Sequence, residues 1–232
     1  MSCATHERGR SPDGARGVRQ APWLTLARFG ARQSQLLEVA GLFTAAQHYR
    51  AAGYRVAAKN LQSGLFRAKV TTSPYPQRYS YFEAIRATTH IEIHSNMPVA
   101  GAYPLINAAF VVDVAVLKGG TLTHPNDRYV AKQKDLLTFA ELKNLVTYPM
   151  LLAQFIGIVH EVSPQFLSGR VPYGFRRDGH FVPALITVSH MKRSSREIVE
   201  SFAPRGYRVQ VLPGLDAYVA RRGWFMSKSP LV

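Results

Sequence analysis

Phe110-Val111-Val112-Asp113-Val114-Ala115-Val116-Leu117 is an apolar, largely β-branched run with a single acid in its middle. A polar stretch follows. The chain then returns to a second apolar run, Leu136-Leu137-Thr138-Phe139-Ala140-Glu141-Leu142-Lys143. Both runs read as strands. Side chains of a strand alternate between its faces, so Glu141 and Lys143 project the same way. An aspartate on a neighbouring strand can point at the same place. Two carboxylates and one ammonium converging on one spot form a cation site with a positive charge beside it, which is the chemistry needed to cut a phosphodiester.

Asp113, followed 28 positions later by Glu141-Leu142-Lys143, resembles the Asp…Glu-x-Lys signature of the PD-(D/E)XK, or restriction-endonuclease-like, nuclease superfamily. The pattern around these residues is similar over roughly residues 33–212, and Val112 stands where the family often has proline. The resemblance implies an α/β fold, a mixed β-sheet flanked by helices with an αβββαβ core. It also implies a magnesium-dependent phosphodiesterase, with Mn²⁺ as an alternative ion. Asp113 and Glu141 would hold the cation together with the carbonyl of Leu142, and Lys143 would orient the attacking water or stabilise charge growing on the phosphate. Two further residues enter by the same resemblance. Gln154, in the helix after the Glu141 strand, either faces the site or lies on the helix surface. Glu38, in the first helix, joins the metal site in some members, and a solvated helical acid is the favoured reading here.

Composition agrees with a polyanionic partner. Among 232 residues, 29 Lys and Arg stand against 14 Asp and Glu, a net charge of +15. Neutralising phosphates releases counterions and dominates non-specific affinity for nucleic acid. DNA is favoured over RNA. With so few acids, single carboxylates inside apolar strands are costly unless they meet a partner or a metal. The one cysteine, Cys3, excludes an intrachain disulfide and cysteine-based zinc sites. No apolar run is long enough for a transmembrane helix, and no secretory signal pattern is visible, so no membrane partner and a cytoplasmic location are expected. A homodimer or larger assembly stays open.

Residues 1–25 read as a flexible basic arm and 26–232 as a single domain. Ser34 to Ala52 has a helical apolar pattern closed by Gly53. Gly64 to Val70 alternates like a strand. Tyr79 to Glu92 is β-rich, and His90-Ile91-Glu92-Ile93-His94 alternates strictly, with the polar face expected to be half exposed to water. Two histidines and a glutamate on one strand face also suggest a metal site, but the half-exposed strand is the favoured reading for His90 and His94, because ligands two apart on one strand are about 7 Å apart and rarely meet one ion. Glu92 is a candidate additional acid lining the Asp113 strand. Asn96 to Ala109 holds Pro98, Gly101 and Pro104 and reads as a loop. In the polar stretch 121–135, Arg128, Lys132 and Lys134 are candidate phosphate contacts at the mouth of the site. Thr147 to Leu167 reads as a buried helix capped by Thr147 with Pro149 in its first turn. Residues 169–182 form a Gly/Arg/aromatic loop, and a strand–helix–strand ending follows, suited to a parallel pair. The reading is a metal-dependent nuclease. The alternative is a non-catalytic nucleic-acid-binding or assembly protein that retains the fold. A protein-interaction module with a basic surface is a third possibility.

Overall fold

A computed structural model describes residues 33–103, 109–122 and 129–214. Helix α1 (Gln33–Ala51) opens the described chain, and strands β1 (Arg55–Lys59), β2 (Tyr81–Arg86), β3 (Thr89–Ala100), β4 (Ala109–Lys118) and β5 (Leu136–Lys143) follow. Helix α2 (Pro149–Val162) then leads to strand β6 (Ala184–Thr187), helix α3 (Arg193–Glu200) and strand β7 (Gln210–Leu212). The seven strands form one sheet in chain order. Neighbours from β1 to β5 are antiparallel, whereas β5–β6 and β6–β7 are parallel, each parallel pair spanning a helical crossover. The fold is thus α/β, a mixed sheet flanked by helices.

Two apolar layers lie against the sheet. One gathers Leu42, Phe43 and Tyr49 of α1 with Ile91, Ile93, Val114, Val116, Ala140 and Leu142. The other gathers Leu152, Phe155 and Val159 of α2 with Met97, Val99, Val112, Phe139 and Leu185. On β3, Ile91 and Ile93 thus enter one layer and Met97 and Val99 the other, although all four numbers are odd. Simple alternation would keep them together. The reversal has a local cause: Asn96 adopts a left-handed backbone, φ 49°. Asn96 falls opposite Asp113, because Ser95 pairs with Val114 and Met97 with Val112. The central strands therefore kink where the acid sits.

Several local expectations are corrected. Residues 64–70 do not join the sheet. Arg67 instead trades hydrogen bonds with Ser80 through the Ser80 amide (2.8 Å) and hydroxyl (2.9 Å). The expected loop from Asn96 is strand as far as Ala100, and Pro98 is part of it. β2 pairs with β3 only from Phe82↔Ile93 onward, and beyond it β3 meets on that side a lone parallel bridge, Val99 to Ala131, which uses the Pro98 carbonyl and the Ala100 amide but no N–H of residue 98. A missing N–H leaves no ladder bond open there. The Pro98 carbonyl accepts the amide of Ala131 at 2.8 Å. Glu92 and His94 are buried rather than half wet, since Tyr81 stacks on His94 at 4.6 Å and Gly120 covers Glu92. The helix expected over 147–167 ends at Val162, because Pro164 disfavours helical backbone at Ser163, and a 3₁₀ turn (Pro164–Leu167) follows. Thr147 does not cap it. Tyr148 occupies the cap with Pro149 in the first turn, and the buried Thr147 hydroxyl pairs with that of Thr187 at 2.8 Å.

Candidate active site

Asp113 lies on β4 and Glu141 and Lys143 on its neighbour β5, where the ladder Val114↔Ala140 gives out. With the ladder ended, Leu142 has an amide free to turn to a side chain. It donates to Asp113 Oδ2 at 2.7 Å. Lys143 Nζ donates to the same oxygen at 2.9 Å and contacts Glu141 Oε2 at 2.8 Å. Three side chains expected to converge thus do so. Exposure rises from Glu141 (3%) through Asp113 (12%) to Lys143 (33%), so the cluster opens to solvent past the ammonium.

Electrostatics follow from this depth gradient. Burial, then repulsion from Asp113, pushes the Glu141 carboxyl up to about 7, with Lys143 and a hydrogen bond from the Asp113 main chain opposing both. Burial alone would lower Lys143, but the Glu141 and Asp113 carboxylates outweigh it and hold its ammonium well above the ordinary lysine value. Glu141 Oε1 is buried and has no hydrogen-bond partner among the described residues. A buried carboxylate oxygen left open is costly. A divalent cation is the ligand that satisfies it most directly, since Mg²⁺ takes one or two carboxylates and fills its remaining positions with water and phosphate oxygens. In an extended strand the amide and carbonyl of one residue project to the same side, so Leu142 turns its carbonyl toward β4 as well. The donor set fits such an ion. Among the described residues no three Asp, Glu, His or Cys lie close enough to hold a metal by themselves, so water and substrate would complete the shell.

Three more residues stand beside the triad: Glu38, which the resemblance offered and the solvated reading displaced, and Asn96 and Lys69, which the sequence did not single out. Glu38 of α1 accepts a hydrogen bond from Asn96 Nδ2 at 2.7 Å and is half-buried rather than solvated. Burial raises its carboxyl, the Asn96 hydrogen bond lowers it, and the Asp113 charge raises it further. Lys69 is 1% exposed, and its ammonium donates to the carbonyls of Asn96 and of Thr71 (2.7 Å). Burial lowers it to about 8, against the pull of Glu38. Only the left-handed preference of asparagine hinted at Asn96, and nothing local hinted at Lys69.

The other expected residues lie apart. Glu92 pairs with Leu117, four residues along β4 from Asp113, which is about 13 Å of strand rise. Its carboxylate meets His94 Nε2 at 3.1 Å and the Gly120 amide at 2.8 Å. Gln154 is exposed on α2. Lys132 and Lys134 are exposed beside the 3₁₀ turn Gln133–Asp135 that feeds the start of β5. Lys143 ends that strand, about 23 Å further along. Arg128 lies outside the described residues.

A different basic group is close to the mouth. Lys143 pairs with Thr187 at the end of β6, and its carbonyl accepts the Val188 amide at 3.3 Å. Four residues on, the Thr147 carbonyl accepts the Lys192 amide (3.2 Å) and the hydroxyl of the fully buried Ser195 (3.0 Å). These bonds stitch the start of α3 to the exit of β5 and set Lys192, Arg193 and Arg196, all exposed, on that side of the molecule. Neither a family model, nor a curated protein, nor a solved structure matches this chain.

Proposed function

We propose that this chain is a divalent-metal-dependent nuclease of the PD-(D/E)XK type that hydrolyses phosphodiester bonds, with DNA as the favoured substrate. The observation that carries the proposal is the meeting of Asp113, Glu141 and Lys143 at the end of two neighbouring strands, with one Glu141 oxygen buried and open. Asp113 and Glu141 would hold Mg²⁺, with the Leu142 carbonyl. Bound there, the ion polarises the scissile phosphate and lowers the pKa of an attacking water. Lys143 is the most exposed of the three and keeps its charge at any working pH. Its ammonium can therefore orient that water and stabilise the extra negative charge of the transition state. Lys192, Arg193 and Arg196 would meet flanking phosphates.

A second reading has one observation behind it. Lys143 already bridges both carboxylates, which is also how a purely structural ion pair looks. A fold-retaining nucleic-acid-binding protein would then bind without cutting. Purified protein offered plasmid, linear and single-stranded DNA and RNA, with Mg²⁺, Mn²⁺ or EDTA, separates the two. Cleavage that needs the metal supports the nuclease, and salt-dependent binding without cleavage supports the alternative.

A further inference from the structure

Asn96 is held from three directions. Its backbone is left-handed, φ 49°, inside a strand. Its side-chain amide donates to Glu38 Oε2 (2.7 Å) and to the Lys69 carbonyl (3.0 Å), while its own carbonyl accepts the Lys69 ammonium. The Lys69 carbonyl also accepts Ser95 Oγ at 2.9 Å. Lys69 therefore grips the kink by both its main chain and its side chain, and it does so while almost fully buried. Burying an ammonium against backbone carbonyls is expensive. An exposed strand bend needs no such arrangement, since asparagine enters the left-handed region readily.

The purpose lies at the far end of the chain of bonds. Glu38 arrives from α1, 58 residues away in sequence, and Asn96 is its side-chain hydrogen-bond partner. Asn96 falls opposite Asp113 in the β3–β4 register, so its bond holds the Glu38 carboxylate on the Asp113 side of the sheet, where it feels the charges of Asp113 and Lys143. We propose that Asn96 and Lys69 are positioning residues: they clamp the β3 kink so that the Glu38 carboxylate stands near Asp113 as a third negative charge, raising the affinity of the Asp113/Glu141 pair for a divalent cation. Glu38 acts through its field and through water, since it is not close enough to complete a metal-holding group. The inference rests on the nuclease reading above, because it presumes that the pair takes a cation.

The test is a Mn²⁺ titration of the free protein, following unbound Mn²⁺ by electron paramagnetic resonance, with melting temperatures alongside. Asn96→Gly keeps the left-handed backbone at no steric cost and removes only the amide. It should melt near wild type yet bind Mn²⁺ on the order of tenfold more weakly, the lower end of what outer-shell changes cost. Glu38→Gln should weaken binding at least as much. In the double variant the loss should not exceed that of Glu38→Gln alone, because both changes act through one carboxylate. Lys69→Met gives a test by sign. Removing a bystander cation near a metal site would tighten Mn²⁺, whereas losing a clamp weakens it. Unchanged binding by Asn96→Gly, additive losses in the double variant, or tighter binding by a folded Lys69→Met each overturn the clamp. If Lys69→Met does not fold, the Asn96→Gly cycle decides alone. A wild type that binds no Mn²⁺ overturns the nuclease reading and the clamp together, whereas a wild type that binds with Asn96→Gly unaltered overturns the clamp only.

Discussion

Asp113 and Lys143 meet across the β4–β5 boundary at 2.9 Å, and the Asp113 oxygen that takes the ammonium also takes the Leu142 amide at 2.7 Å. The carboxylate is thus fixed by the backbone of the strand that carries its partners. Lys143→Ala leaves that amide bond in place. Cleavage should fall on the order of 10²-fold or more through loss of transition-state stabilisation. Affinity for DNA should change modestly, since one phosphate contact among several is lost. Asp113→Ala should lose cleavage similarly and bind DNA as well as wild type or better, because a negative charge near phosphate is gone. Anisotropy in Ca²⁺ and cleavage in Mg²⁺ measure the pair. A Lys143→Ala protein that cuts at the wild-type rate makes the motif a coincidence. One that loses binding, cleavage and melting temperature together marks Lys143 as a structural ion-pair partner.

Glu141 gives the protein a pH signature. Its carboxyl is raised from the ordinary range to about 7, chiefly by burial. The native state then holds a proton that the unfolded chain has released, so this group's stabilisation is complete below about 4.5 and is lost as pH rises through about 7. The buried histidines His48, His94 and His180 are shifted downward by burial and push the other way over part of this window. A difference measurement removes them. In EDTA, the stability of Glu141→Gln minus that of wild type should rise by on the order of 2 kcal/mol between pH 4.5 and 7.5. Excess Mg²⁺ at pH 8 should stabilise wild type and leave Glu141→Gln unmoved. A flat difference would show that Glu141 ionises at its ordinary value, and that the open oxygen is of no consequence.

The triad was legible because it depends on two short-range rules: apolar runs make strands, and residues two apart share a face. The parallel pair at the end of the chain needed only the crossover rule for parallel strands. What escaped depends on contacts between distant residues. Lys69 lies in a segment that alternates like a strand but finds no ladder, and its partner Asn96 is 27 positions away. Pro98 and Asn96 looked like breakers because their local preferences are real. The neighbouring strand ends early enough to accommodate the proline, and Lys69 holds the kink at Asn96. Glu38 looked solvated because nothing in its own helix shows that Asn96 will reach it. Lys132 and Lys134 were assigned to the mouth by proximity in sequence to β5, yet they stand at the wrong end of that strand.

The basic group at the start of α3 should behave as a phosphate surface. Lys192, Arg193 and Arg196 are exposed, and Arg193 spends part of its charge on Glu197 at 3.4 Å. Each phosphate contact removed should lower the slope of log affinity against log salt by about 1. Changing all three to alanine should therefore flatten the slope by about 2 to 3 and leave melting unchanged, whereas Lys132→Ala with Lys134→Ala should alter it less. The reverse ranking would put the DNA at the other end of β5.

Gly41 offers a way to move the site without touching it. It lies in α1 directly over Leu142, where an added Cβ would meet both Leu142 methyl groups, one at 2.9 Å. Alanine gains about 1 kcal/mol over glycine in a helix. Overpacking a filled site costs about 1–3 kcal/mol. The two largely offset, so Gly41→Ala should shift stability by no more than about 2 kcal/mol. Leu142 must nevertheless give way, and its amide is the one that fixes Asp113. A displacement of even about 1 Å at reacting groups can cost 10²-fold in rate. Cleavage should accordingly fall at least tenfold while DNA binding holds. Leu142→Val makes room for the new methyl, so adding it to Gly41→Ala should recover much of the rate, although Leu142→Val alone should slow cleavage. A Gly41→Ala protein with full activity would mean that Leu142 can move without carrying Asp113 with it. A double variant no better than Gly41→Ala would mean that the helix itself, and not the leucine beneath it, had shifted the site.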